Sequence, residues 1–121
     1  MKKYLSRLTL LLLFLPLSGA AQPPVSLPPD AAQFWNRFQD AVGRDDRIAV
    51  AALTRFPFNG GDRDAFLKNY DEVFTPKTRT CLRQSKPQPD QGFFTVVCGG
   101  NAYLFGQDQG RYSFSSIESR D

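Results

Sequence analysis

Between Ser85 and Gly92 the spacing of apolar residues changes from one period to another. Before this stretch they recur every three to four residues, as on helices that bury one face. After it they alternate, as on strands. Helices first, then short consecutive strands, argue for an α+β domain with N-terminal helices packed on a C-terminal antiparallel β-meander. There is no internal repeat.

The helical half divides at its capping residues. Asp30 with Gln33 three residues later forms a capping-box pattern, and Phe34, Trp35, Phe38, Ala41 and Val42 follow at helical spacing up to Gly43. Asp45 is placed to cap a shorter helix with Ile48, Ala49, Ala52 and Leu53 as its apolar stripe. Pro57 pushes Phe56 out of helical angles, so 54–58 is extended and Asn59-Gly60-Gly61 turns. Asp62 caps a third helix with Phe66, Leu67, Tyr70, Val73 and Phe74 on one face. Thr75-Pro76 starts a fourth that runs to about Gln84.

Ser85 to Gly92, polar and holding two prolines, is expected to be a loop. Strands are predicted at Phe93–Cys98, Ala102–Gly106 and from Arg111 to about Glu118, joined by Gly99-Gly100-Asn101 and by Gln107 to Gly110. The last strand breaks its own pattern. Tyr112 and Phe114 share a face, but strict alternation puts Ile117 on the other. Either a bulge at Ser115-Ser116 returns Ile117 to the aromatic side, or both faces are partly covered.

Residues 1–21 read as a cleavable export signal: Lys2, Lys3 and Arg7, then the apolar run Leu8–Leu15, then small residues from Ser18 to Ala21. The run falls short of the ~20 residues that span a bilayer. Residues 22–29, rich in proline, form an extended leader, and 30–121 form one domain. The expected location is periplasmic or secreted, with no membrane span in the mature form. Three of the 15 basic residues lie in the signal, whereas all 12 acidic residues follow it, so the mature chain is neutral. No global field is left to attract nucleic acid, and no nucleic-acid partner is expected.

The core must be aromatic. Ten of the 11 Phe lie beyond the signal together with the single Trp, and no His occurs. Cys81 and Cys98, an even pair in an exported domain, are expected to form a disulfide. The competing reading, a reactive or metal-bound thiol, has no His to activate or co-ligate it.

Two stretches carry a resemblance. Arg47 to Phe58 (Arg-Ile-Ala-Val-Ala-Ala-Leu-Thr-Arg-Phe-Pro-Phe) and Phe66 to Phe74 (Phe-Leu-Lys-Asn-Tyr-Asp-Glu-Val-Phe) resemble small exported bacterial proteins of unassigned function. Those look like compact relatives of the nuclear-transport-factor-2-like, cystatin-like superfamily, in which helices lie in the concavity of a curved sheet. The resemblance spans Phe34 to Ile117. It implies a cystatin-like fold and, in larger members, a ligand pocket. This chain departs from the pattern with Tyr103-Leu104 where a Trp-aromatic pair is expected, and it ends before a further strand. A shorter sheet implies a shallower pocket.

Without His, Ser-His-Asp and Cys-His catalysis are excluded, and no catalytic residue, metal site or cofactor is expected. A carboxylate base in an apolar pocket would have to come from Asp62, Asp64, Asp71 or Glu72, whose ordinary roles are capping and solvation. Lys77, Arg79, Arg83 and Lys86 form a basic run without an intervening acid. It reads as an anion dock or as a solvated helix end whose cations complement the dipole. Trp35, Phe38 and Tyr103 could line a pocket, though the first two also have core spacing. Three functions follow in order: a non-catalytic interaction or binding module of the cell envelope, a small-ligand carrier, and a carboxylate-dependent small-molecule enzyme. The partner is an envelope protein or a small ligand. A filled core favours the first; a pocket holding a buried carboxylate favours the others.

Overall fold

A computed structural model describes residues 26–120. Residues 1–21, read above as an export signal, and residues 22–25 of the expected proline-rich leader lie outside the described residues. Helices α1 (Pro29–Gly43), α2 (Arg47–Ala52), α3 (Arg63–Lys68), α4 (Tyr70–Val73) and α5 (Pro76–Gln84) precede strands β1 (Gln88–Asp90), β2 (Phe93–Cys98), β3 (Asn101–Asp108) and β4 (Arg111–Ser119). The strands form one antiparallel sheet in the order β1-β2-β3-β4. The fold is α+β, helices first and meander second.

The first two helices start away from their expected caps, α1 two residues earlier and α2 one residue later, each for a local reason. Pro28, with ψ of 156°, is the N-cap of α1 and makes no side-chain cap bond; Pro29 takes the first helical position. Its fixed φ suits that position and its missing N–H costs nothing there, so the helix begins before Asp30. Asp30 instead places its charge in the first turn. Asp45 has φ of 54° in the turn after α1, and the cap of α2 is Asp46, which accepts from Ala49 N–H. That shift rephases α2. Val50 and Ala51 are buried, whereas Ile48, expected inside, is 55% exposed.

The expected third helix is two short ones. Asp62 accepts from Ala65 N–H at 2.9 Å and caps α3 as expected, but Asn69 (φ −98°, ψ 8°) breaks the helix before α4. Phe66, Tyr70 and Phe74 stay on one buried face across the break. Thr75 caps α5 by accepting from Thr78 N–H, as expected. At the other end of α5, the Gln39 side-chain amide of α1 donates to the carbonyls of Leu82 and Arg83 at 3.3 and 3.1 Å. These carbonyls have no partner within their own helix, so the bonds tie α5 to α1.

The polar loop contains a strand the sequence did not suggest. Gln91 and Gly92, both at positive φ, make a two-residue turn that folds Gln88–Asp90 back on β2. Pro89 is tolerated because β1 is an edge. The irregularity in β4 is a bulge: Leu104 pairs with Ser116 and Phe105 with Phe114, leaving Ser115 extra. Ile117 therefore stands opposite Tyr103 on the aromatic face, packed against the core. The Ser115 hydroxyl accepts from Gly106 N–H at 3.0 Å and donates to Ser113 O at 3.2 Å. A Cβ at residue 106 would lie 2.9 Å from that hydroxyl and would push it out of these two bonds.

One aromatic core joins the layers. Trp35 meets Phe94 and Phe105 edge-on at 6.0 and 5.4 Å, and Phe38 meets Phe105 at 4.9 Å and Phe114 at 5.2 Å. From α3 and from the C-cap of α4, Phe66 and Phe74 reach Phe114 at 6.5 and 6.1 Å. Such ring pairs add about 0.5–1.5 kcal/mol each beyond the area they bury. Cys81 of α5 and Cys98 of β2 are paired, with Cα atoms 6.0 Å apart. Among the described residues no helix is long and apolar enough to cross a membrane.

Candidate functional site

A cleft of about 410 Å³ opens between α3–α4 and the end of the sheet where β3 begins and β4 ends. Its floor comes from Phe58, Phe66 and Tyr103, all under 9% exposed, with half-buried Val73 and Ile117 beside them. Its rim is polar: Asn59, Asn69, Glu72, Thr78 and Asn101.

The local sequence explains how the floor is held. The 54–58 segment runs beside β4, with Arg55 N–H donating to Phe114 O at 2.9 Å and Phe114 N–H to Leu53 O at 2.8 Å. Phe58 is thereby set against Phe114 at 4.6 Å and Phe66 at 5.3 Å. The chain then reverses at Asn59 (φ 47°) and Gly60 (φ 83°). In that turn the Asn59 amide acts as a strand would. Its nitrogen donates to Ile117 O at 3.0 Å and its oxygen accepts from Ile117 N–H at 3.1 Å, closing the end of the β4 edge. Burial raises the pKa of the Tyr103 phenol, opposed by hydrogen bonding to Thr78 and Asn101, so the group stays neutral at physiological pH.

The carboxylates named from the sequence separate here. Asp62 caps α3, Asp64 is exposed in its first turn, and Asp71 accepts from Arg47 at 2.8 Å. Glu72 alone borders the cleft, and it is exposed. No acidic side chain among the described residues is buried, so none sits in the apolar pocket in which a carboxylate base would work.

The pocket-lining candidates also part. Trp35 and Phe38 are 5% and 0% exposed and spend their surfaces on the ring contacts above, whereas Tyr103 lies in the cleft floor. The basic run is divided as well. Arg79 is half-buried, donates to Phe74 O at 3.3 Å and lies 3.7 Å from Asp45. Arg83 lies along Gly43 at the end of α1. Lys77 borders a depression over Cys81 and Lys86 a separate one beside Thr95, so the four cations do not share one surface. Among the described residues no group of three or more His, Cys, Asp or Glu could hold a metal.

The sequence did not single out Phe58, Asn59, Asn69, Thr78, Asn101 or Ile117 as site residues. Asn59 and Ile117 meet across 58 positions, which no local periodicity reports. The one available signal was Phe-Pro-Phe running into Asn-Gly-Gly, an apolar segment stopped by a turn. In comparisons with known proteins, no family model, no curated protein and no solved structure gives a significant match.

Proposed function

We propose that this chain is an exported, non-catalytic binding module of the cell envelope, and that the cleft between α3–α4 and the sheet is where it binds. One observation carries the reading: the aromatic core is filled while an open cleft with an apolar floor and a polar rim remains, and the only carboxylate on it is exposed. Such a cleft recognises an apolar group, either a small ligand or a side chain of a partner, without supplying acid–base chemistry. The Cys81–Cys98 pair supports export, because disulfides persist in oxidising compartments. Helices gathered on one face of an antiparallel sheet support the nuclear-transport-factor-2-like resemblance, with a pocket shallower than that of larger members.

The test is recovery of ligand from an envelope extract. The mature chain and its Val73→Trp variant, whose indole would fill the cleft, are incubated with the extract, re-isolated and analysed by mass spectrometry. A molecule retained by the wild type, lost in the variant and unchanged on long incubation is the expected result. No retained molecule, equal retention, or conversion to a product would overturn the reading.

A further inference from the structure

A second cleft, of about 730 Å³, lies at the opposite end of β3 and β4. The ladder runs from Asn101 opposite Ser119 to Asp108 opposite Arg111, so the two clefts are separated by ~20 Å at the rise of a strand. Three arginines border this second cleft from three separate parts of the chain: Arg37 on α1, Arg55 on the segment beside β4, and Arg111 at the start of β4.

The backbone fixes this convergence. Arg55 is held where its N–H bonds Phe114 O, and Arg111 follows Gln109 and Gly110, whose positive φ values of 53° and 80° make the tight turn from β3. Arg37 lies over the Phe34 ring, 5.8 Å from its centre. All three are exposed, so the core does not require them. Their counter-charges fall short. Asp30 and Asp108 border the same cleft; Asp108 stands opposite Arg111 in the ladder, but among the described residues its one ion pair is with Arg55, at 3.7 Å with both side chains more than half exposed. An exposed pair of that kind contributes at most about 1 kcal/mol and gives way readily to a competing anion. Among the described residues, Arg37 and Arg111 have no carboxylate within 4.0 Å. The fold draws little from these three arginines, one weak exposed pair and one ring contact. A ligand with clustered negative charge would draw more, because each planar fork can donate two parallel hydrogen bonds to a phosphate or carboxylate.

We propose that this second cleft binds a ligand carrying clustered oxyanions, either phosphate or carboxylate groups. Arg37 and Arg111 make the primary contacts, and Arg55 joins them by exchanging Asp108 for the ligand. Gln33 and Tyr112, which border the same cleft, supply neutral hydrogen-bonding groups to the rest of it. The inference is independent of the binding function assigned to the first cleft.

Calorimetric titration of the mature chain with tripolyphosphate and, separately, with citrate at low ionic strength tests this. The account expects saturable binding of at least one probe, weakening steadily as salt is added. Arg37→Gln/Arg111→Gln should lower affinity at least tenfold. Lys77→Gln/Lys86→Gln removes the same net charge elsewhere and should leave affinity within twofold. Asp108→Asn, which removes the internal competitor, should tighten binding several-fold. Stronger binding of tripolyphosphate assigns phosphate groups and stronger binding of citrate assigns carboxylates; either supports the proposal. Absence of saturation with both probes, equal losses in the two double variants, or no gain in Asp108→Asn would overturn it.

Discussion

Tyr70 shows how a single side chain can carry a cost that the fold absorbs. Its ring is fully buried against Phe74 at 4.7 Å, and the Arg47 guanidinium lies 4.9 Å from the ring centre. Its buried hydroxyl makes no well-formed hydrogen bond and has only the Asp45 carboxylate to turn to, so it recovers less than it lost in leaving water, at a cost of about 1 kcal/mol. Burial, then the Asp45 carboxylate, pushes its pKa up to about 12 from the usual 10.0. Between these values the unfolded chain releases a proton that the folded chain keeps, so the contribution of Tyr70 to stability is constant below pH 10 and falls as pH rises toward 12. Tyr70→Phe is therefore expected to raise stability by roughly 1 kcal/mol at neutral pH. It should also flatten the alkaline fall in denaturation midpoint, leaving only the share that Tyr103 contributes. Urea unfolding from pH 7 to 11 measures both.

Among the elements, the β4 edge is the most dependent on one residue. Asn59 supplies both bonds to Ile117 and does so from φ of 47°, a conformation that asparagine and glycine tolerate better than alanine. Asn59→Gly keeps the turn and loses the bonds, with an expected cost of about 1 kcal/mol. Asn59→Ala adds backbone strain and should cost about 1 kcal/mol more, both read from urea midpoints. Much at this scale was legible beforehand. The irregularity in β4 was visible as Ile117 falling out of step with Phe114, but alternation alone left a bulge and a strand covered on both faces open, and the pairing with β3 decides for the bulge. The strand β1 was not visible: Gln-Pro-Asp has no apolar pattern, and only its pairing with β2 makes it a strand. The rephasing of α2 escaped because Asp45 and Asp46 are equally good caps by chemistry, and the turn angle at Asp45 decided between them. The first cleft was legible only through Tyr103 and Glu72, since its walls come from segments distant in sequence.

At the scale of the whole molecule, a small domain with stability of order 5–15 kcal/mol relies on the Cys81–Cys98 link between α5 and the sheet. The bond closes a separation of 17 residues and is worth about 3 kcal/mol in the chain-entropy model. Cys81→Ser, Cys98→Ser and the double variant are each expected to lower the melting temperature by roughly 10–20 °C, with no further loss in the double. Unequal losses would mean that the two sulfurs stabilise the fold separately. The central claim is that the domain binds an apolar group in the cleft floored by Phe58, Phe66 and Tyr103, and its most direct test is an amide chemical-shift map of the ¹⁵N-labelled mature chain titrated with a neutral amphiphile such as Nile red. The account predicts saturable shifts confined to residues 58–73, 101–103 and 117, which vanish in Val73→Trp; shifts centred elsewhere, or none at saturating probe, would contradict it.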